Sequence, residues 1–416
     1  MKNTEINRRS KYFWIIGGGL MQVPLLSEAK KLGLKCIMTD KNPNCVCAKD
    51  ADLFFPIDTI DVMGHVIQGL NLLADGIKIN GVLAAGMDAP LTMAVLARVL
   101  ALPGVEPEIA YIVHNKALLR RRMKELGYST PKFTTLTSAN EFDIENAIKK
   151  VGFPLIVKNT DSSGSRGTTI IKKNNKDALI NAVRSAISVS RSRTALIEEL
   201  WEGPEQTVEV IIGPDGKPNR CFITDRFFDL SKGFALETGL RNPSALSTKQ
   251  QDELYKLTEN FAKDLGVKIG SAKADTMYTK DGPRLIEFTV RLSGGFDSQY
   301  LVPAATGKNV LKASILTALG KKFNAKELLT NRKNKVGLTG SIWPKPGRIK
   351  TISGLEEARN LPGVERIIFR YKIGDKIEEY KDCTKRVCFV IVTGKNEQEA
   401  KNKLGKALNT IKVEVE

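Results

Sequence analysis

Residues 154–171 read PLIVKNTDSSGSRGTTII. Two apolar runs flank a loop of small polar residues. Lys158 closes the first run, and Gly164 and Gly167 lie inside the loop. Apolar, β-branched runs bounded by glycine and serine predict strand, turn, strand, over 154–158 and 168–172. A P-loop would place Lys after its last glycine and continue into a helix; here a strand follows. Small residues between antiparallel strands let backbone N–H groups close over an anion, as a flexible cover would. An ordinary turn is the plainer reading of the loop alone. Lys158 sharpens the question, because a cation on an apolar strand is costly to bury without an anion.

Downstream, ALIEELWEGPEQTVEV (195–210) ends an apolar strand in Glu198 and Glu199 and breaks at Gly203-Pro204 before another strand. Such a linker, with free backbone groups and a carboxylate, can receive an adenine edge and a ribose. Then GSAKADTMYTKDGPRLIEFTVRLSGG (270–295) places Asp275 and Glu287 in neighbouring strands of a D-G hairpin. Two facing carboxylates repel unless a cation lies between them. Magnesium, held by one or two carboxylates and by substrate phosphates, is the natural occupant. Arg291, four residues beyond Glu287, falls where a transferred phosphoryl group or its acceptor would be. Each piece alone reads as surface charge; their order is the signal.

Upstream, the first hundred residues alternate strand and helix: KYFWIIGGG, a helix over 22–32, KCIMTD, a helix over 61–74, GVLAA, and a helix over 88–100. That alternation predicts a parallel sheet with covering helices. Gly17-Gly18-Gly19 with Asp40 imitates a dinucleotide fingerprint, but Gln22 stands where the third glycine belongs. The turn reads better as the lining of a small-molecule site. Residues 106–126 continue helically. From 128 to 325 the pattern is mixed, with helices expected at 138–150, 175–190, 247–265 and 309–319 and a largely antiparallel sheet. A polar connector over 321–334 leads to an α+β unit, 336–416, that ends in a helix over 396–409 and a short strand.

The chain has 416 residues, 42% of them apolar and 26% charged, which is ordinary for a globular protein of two or three domains. No uncharged apolar run approaches the ~18 residues of a membrane span. The basic N-terminus lacks a signal peptide's apolar centre, so a cytoplasmic protein is expected. Six cysteines and two histidines supply neither a disulfide framework nor a zinc cluster. They also disfavour chemistry built on a Ser-His or Cys-His pair. With 64 Lys+Arg against 46 Asp+Glu, the net charge of +18 favours anionic substrates. The densest basic cluster, Lys116, Arg120, Arg121, Arg122 and Lys124, reads as a solvated helix face rather than a nucleic-acid contact.

Taken in order, these motifs resemble the ATP-grasp superfamily over nearly the whole chain, and within it the carboxylate–amine ligases of the L-amino acid ligase type. The Gly17–Asp40 unit resembles the N-terminal substrate-side domain. NKALLRRRMKELGYSTPKF resembles the segment carrying a first lysine, and FPLIVKNTDSSGSRGT the second lysine with its phosphate cover. IEELWEGPEQTVEV resembles the adenine hinge and LIEFTVRLSGG the metal and arginine strand. The C-terminal segments resemble the closing domain of such ligases, including biotin carboxylase. The resemblance implies an α/β and α+β fold: a Rossmann-like domain (1–110), an ATP-grasp domain of two α+β subdomains (111–325, lid 154–200) and a small C-terminal α+β domain (326–416).

It further implies that Lys116 and Lys158 contact ATP phosphates under Ser163, Gly164 and Ser165. Glu198 would reach the adenine amino group, Glu199 and Trp201 would offer backbone to the ring, and Glu205 would hold the ribose. Asp275, Glu287 and Thr289 would bind Mg2+, or Mn2+ in its place, with Arg291 and Lys158 catalytic. Thr289 stands where the family usually has Asn, which leaves the number of metal ions open. Gly18, Gly19, Arg291, Gly294 and Gly295 would bind substrate, with Lys232, Glu237 and Arg241 lining an acceptor loop. The implied reaction joins a small carboxylic acid, such as an amino acid, to an amine through an acyl phosphate, releasing ADP and phosphate. A homodimer fits this picture. The alternatives are a purine-biosynthetic enzyme of the same architecture and a non-catalytic nucleotide- or polyanion-binding protein. Biotin carboxylase activity is disfavoured, because acidic and histidine residues are missing after Arg291.

Overall fold

A computed structural model of the protein describes residues 10–231, 233–380 and 382–416. Lys232 and the basic residues 1–9 lie outside it. Strands β1 (Tyr12–Ile16), β2 (Lys35–Thr39), β3 (Leu53–Phe55) and β4 (Ile79–Ala84) form a parallel sheet in the order β3-β2-β1-β4. Helix α1 (Val23–Lys31) connects β1 to β2, α2 (Val62–Ala74) connects β3 to β4, and α3 (Pro90–Val99) follows β4. All five residues of β1 are buried, and this is why YFWII reads as a continuous apolar run: a parallel strand is covered on both faces. The glycine turn after β1 is closed by its own chain. Gly18 N–H donates to Asp40 (2.9 Å), Gly19 N–H to Gln22 Oε1 (2.9 Å), and Gln22 Nε2 to the Ala85 carbonyl (2.6 Å).

The helix expected over 106–126 is two: α4 (Pro107–His114) and α5 (Lys116–Glu125). Asn115 between them is extended, and its side chain caps α5 through the N–H groups of Ala117 and Leu118. The basic run of α5 is not wholly a solvated face. Arg120 is 3% exposed, because positions 116, 120 and 123 line the inner side of the helix with Leu119.

Next comes a four-stranded antiparallel sheet of order β5-β8-β6-β7, made of β5 (Phe133–Leu136), β6 (Leu155–Asn159), β7 (Thr169–Ile171) and β8 (Ala195–Glu199). Helices α6 (Glu141–Val151) and α7 (Lys176–Val189) cover one face around Leu155, Val157, Leu179, Val183 and Ile197. This unit has its own core, separate from the rest.

The remaining body is built on one long sheet. Its first strands are β9 (Glu205–Ile212), β10 (Pro218–Asp229), β11 (Leu236–Asn242), β12 (Gly270–Thr279) and β13 (Gly282–Thr289), packed on α8 (Thr248–Leu265). Ser247 and Gln250 form a capping box at the start of α8, and Gly266, at φ +92°, ends it. Helices α9 (Val302–Thr306), α10 (Val310–Ala318) and α11 (Ala325–Leu328) lead to β14 (Val336–Gly340), β15 (Gly347–Ser353), α12 (Leu355–Arg359), β16 (Val364–Phe369), β17 (Lys376–Ile377), β18 (Cys388–Gly394), α13 (Glu397–Thr410) and β19 (Lys412–Val415). The sheet order is β13-β12-β9-β10-β11-β14-β18-β16, so three strands from beyond residue 325 extend the sheet that carries Asp275 and Glu287. Among the described residues no helix is long and apolar enough to cross a membrane.

Candidate active site

The loop after β6 is assembled by its own polar residues. Asn159 accepts from the N–H groups of Asp161 (3.1 Å) and Ser162 (2.6 Å) and donates to the Arg166 carbonyl (2.6 Å). Asp161 accepts from Ser190, Arg191 and Ser192 (2.7–3.0 Å), which ties the loop base to the end of α7. Gly164, Ser165 and Gly167 all have positive φ (75°, 59° and 60°), the conformation that lets the loop fold back. Three other layers hold it down. Ser163 N–H and the Arg166 guanidinium donate to Asp88 (3.1 and 2.9 Å), Ile170 N–H to the Gly233 carbonyl (2.8 Å), and Cys383 N–H to the Gly164 carbonyl (3.2 Å). The Ser165 hydroxyl lies 3.8 Å from the Cys383 thiol.

Both lysines point under this loop. Lys116 donates to the Ser162 carbonyl (2.8 Å) and lies 3.7 Å from Glu287. Lys158 pairs with Glu198 at 3.0 Å. Arg120 binds the same carboxylate at 2.5 Å, so Glu198 sits 1% exposed between two cations. Burial alone would raise its pKa; Arg120 and Lys158 outweigh it and bring the carboxyl down to about 2. Both its oxygens carry cationic partners, Arg120 on one and Lys158 on the other. Glu199 points outward to the Lys132 amide (3.2 Å), and Arg284 stacks over the half-buried Trp201 at 5.9 Å. Glu205 meets Arg226 at 3.3 Å; burial raises its pKa, and Arg226 partly offsets that.

Asp275 and Glu287 are direct partners in the β12–β13 register, and Thr289 follows two residues on, on the face of Glu287. Asp275 accepts from Thr207 (2.9 Å) and Lys273 (2.6 Å) and pairs with Arg226 (3.2 Å). Burial disfavours ionisation of both carboxyls. Arg226 and Lys273 nevertheless hold Asp275 well below the carboxylate range, and Lys116 and Lys158 lower Glu287. Two ionised carboxylates and a hydroxyl on one hairpin are a hard-oxygen donor set. No third His, Cys, Asp or Glu joins them in a metal-binding group among the described residues, so a cation there must take its other ligands from phosphate and water. Magnesium fits those terms.

Arg291 gives Nη1 to the Leu292 carbonyl (2.9 Å), and Leu292 bridges to Ala85 of the N-terminal layer. Gly86 and Gly294 stand back to back: a Cβ on Gly86 would lie 3.1 Å from the Gly294 Cα. One cavity is lined by Arg291, Glu287, Thr289, Lys116, Ser163 and Asp88. Gly18 and Gly19 belong to the sealed turn, and their N–H groups are occupied by Asp40 and Gln22. Of the acceptor-loop residues, Glu237 is partly buried between Arg226 (3.0 Å) and Arg386 (3.2 Å), and Arg241 pairs with Asp225 and Glu397.

Reading the chain by motif missed Asp88, Arg166, Arg120 and Lys273. Arg120 carried a signal, its i+4 spacing from Lys116 beside Leu119 and Met123. Asp88 carried none, since its partners lie 75 and 78 positions away.

Residues 122–312 match the family model of the D-ala D-ala ligase C-terminus, and residues 342–416 that of the L-amino acid ligase C-terminal domain 2. D-alanine–D-alanine ligase of Ectopseudomonas mendocina is 34% identical over 192 residues, which cover 46% of this chain and 59% of that protein. Carnosine synthase 1 of Mus musculus is 25% identical, covering 74% of this chain and 40% of the relative. The chain thus spans only about half the length of these two relatives. The crystal structure of L-amino acid ligase from Bacillus licheniformis superposes with a TM-score of 0.82 at 20% identity, covering 99% of this chain and 100% of that one.

Proposed function

We propose that the chain is an ATP-grasp ligase of the carboxylate–amine group and that it forms an amide or peptide bond from a small carboxylic acid and an amine, a reading the two family models and the D-alanine–D-alanine ligase relative support. The observation that carries this reading is the cavity that brings Lys116, Glu287, Thr289 and Arg291 together with Ser163 of the glycine-rich cover, with Asp275 paired to Glu287 across the hairpin and Lys158 on the strand that enters the cover. Lys116, Lys158 and Arg291 answer negative charge on phosphoryl oxygens directly, Asp275 and Glu287 would do so through a bound cation, and none is a nucleophile in waiting, which suits catalysis by positioning and electrostatics.

In this reading the acid's carboxylate oxygen attacks the γ-phosphorus of ATP and ADP departs. The amine nitrogen then attacks the acyl carbon, phosphate leaves, and the amine loses a proton. Asp275, Glu287 and Thr289 would hold Mg2+, which when bound neutralises phosphate charge. Lys116 and Lys158 orient the phosphates, Glu198 and Arg120 hold Lys158 in place, and the 161–168 loop excludes water. Arg291 faces the transferred group and its acceptor.

Hydroxamate trapping tests the proposal. With ATP, Mg2+ and hydroxylamine against a panel of amino acids and other small acids, one class should yield hydroxamate and ADP together. Glu287→Ala should lower that rate at least a hundredfold. Bound nucleotide with neither product across the panel would overturn the reading.

A further inference from the structure

Arg226, on β10, is shared by three carboxylates. Its Nε and Nη2 each lie 3.0 Å from Glu237 Oε2, while Nη1 is divided between Asp275 (3.2 Å) and Glu205 (3.3 Å). The hold of Arg226 on Asp275 therefore depends on how strongly Glu237 draws the same guanidinium.

Glu237 is itself shared. Arg386 gives Nη2 to Glu237 Oε1 (3.2 Å) and to the Glu237 backbone carbonyl. Arg386 belongs to the C-terminal unit, is 4% exposed, and packs its guanidinium over the Phe389 ring at 4.5 Å. Burial disfavours the ionised form of Glu237, and Arg226 and Arg386 outweigh it. Three residues before Arg386, Cys383 gives its N–H to the Gly164 carbonyl of the cover and accepts the Glu237 N–H on its sulfur (3.4 Å). One short segment thus touches the cover and, through Glu237 and Arg226, a carboxylate of the hairpin. Neither Arg386 nor Glu237 lines the cavity of Glu287 and Arg291, so any effect they have on it is exerted from a distance.

We infer that Arg386 and Glu237 are positioning residues for the metal site: they set how much of the Arg226 charge Asp275 receives, and so how firmly the hairpin holds a divalent cation. This rests on reading Asp275 as a metal carboxylate, within the ligase reading, and does not depend on which acid and amine are joined. The two residues act with opposite sign. Without Arg386, Glu237 keeps Arg226 to itself, Asp275 is left more negative, and the cation binds more tightly. Without the charge of Glu237, Arg226 falls more fully to Asp275 and competes with the cation.

Binding of Mn2+ in the presence of ADP, read from the loss of the free-ion paramagnetic resonance signal, tests this without turnover. Arg386→Met should tighten Mn2+ several-fold, and Arg386→Lys, which keeps the charge, should restore the wild-type affinity. Glu237→Gln should weaken Mn2+ several-fold, and it carries the test alone if Arg386→Met does not fold. In the Glu237→Gln background Arg386→Met should have no effect, because it acts through that carboxylate. Unchanged affinity, weaker binding in both single variants, or an Arg386→Met effect that persists without the Glu237 charge would overturn the inference. Wild-type protein that takes up no Mn2+ with ADP would overturn the metal reading of Asp275 and this inference with it. Hydroxamate plays no part in these measurements, so failure of the amide-forming reading shows separately, as Mn2+ and ADP bound with these signs and no product from any acid.

Discussion

Charge in this molecule is placed in linked sets, and the clearest single residue is Glu209 on β9. It is fully buried, accepts from Ser293 N–H at 3.0 Å, and leaves Oε1 without a partner. Burial pushes its pKa up to about 7. The folded protein therefore keeps a proton that the unfolded chain releases near the ordinary carboxylate pKa. Stability from this group is complete below about pH 4.5 and is lost as pH rises through 7, on the order of 3 kcal/mol in all. Burial raises Asp297 and Glu205 in the same direction. Denaturant unfolding at pH 5 and pH 8.5 should show wild-type stability falling, and Glu209→Gln, which keeps shape but cannot ionise, should fall less. Parallel slopes in the two proteins would discard this assignment. Arg120, Glu198 and Lys158 are the opposite case, two cations sharing one buried carboxylate, where removing Glu198 strands both cations at a cost of ~3–5 kcal/mol.

At the scale of elements, the hairpins were legible because turn chemistry is local. PDG after β9 and KDG after β12 gave both antiparallel pairs and so set Asp275 against Glu287. Pattern reading also found the cover between β6 and β7, yet not what fastens it. Asn159 and Asp161 look like loop polarity in the sequence. In the structure they accept or donate six hydrogen bonds among them. The break at Asn115 was hidden for a related reason: helical periodicity runs through it, and the Lys116 N–H bond to Thr160 (2.7 Å), which fixes the turn along with the Asn115 cap, is to a residue far off in the sequence. Asn159→Ala removes three of the cover's bonds without touching a core. Amide exchange should accelerate across 160–167, the KM of ATP should rise several-fold, and the unfolding midpoint should move by only a few degrees. Unchanged exchange there would mean that the anchors from other layers suffice.

For the molecule as a whole, composition and element order carried the fold class, while contacts between layers had no local trace. The expected boundary at 325 shows the difference. The segment 321–334 is polar and basic, as connectors are, but β11 pairs with β14 across it through Arg241 with Leu338 and Asn242 with Gly337. A fragment ending at residue 325 would leave β11 as a bare sheet edge, with its backbone donors and acceptors open to other chains. Expressed alone, residues 1–325 should aggregate, and co-expression with 326–416 should restore soluble protein. A monomeric, cooperatively folding 1–325 fragment would show that the two parts are independent.

The fastening of the cover has a consequence for how the protein is born. One of its anchors, the Cys383 N–H, belongs to a segment far downstream of Gly164, whose carbonyl it meets, and so leaves the ribosome long after the cover itself. A nascent chain in which Lys116, Lys158, Asp275 and Glu287 are already made still lacks that clasp. The cover is therefore fastened from the C-terminal side only after everything beneath it has been synthesised.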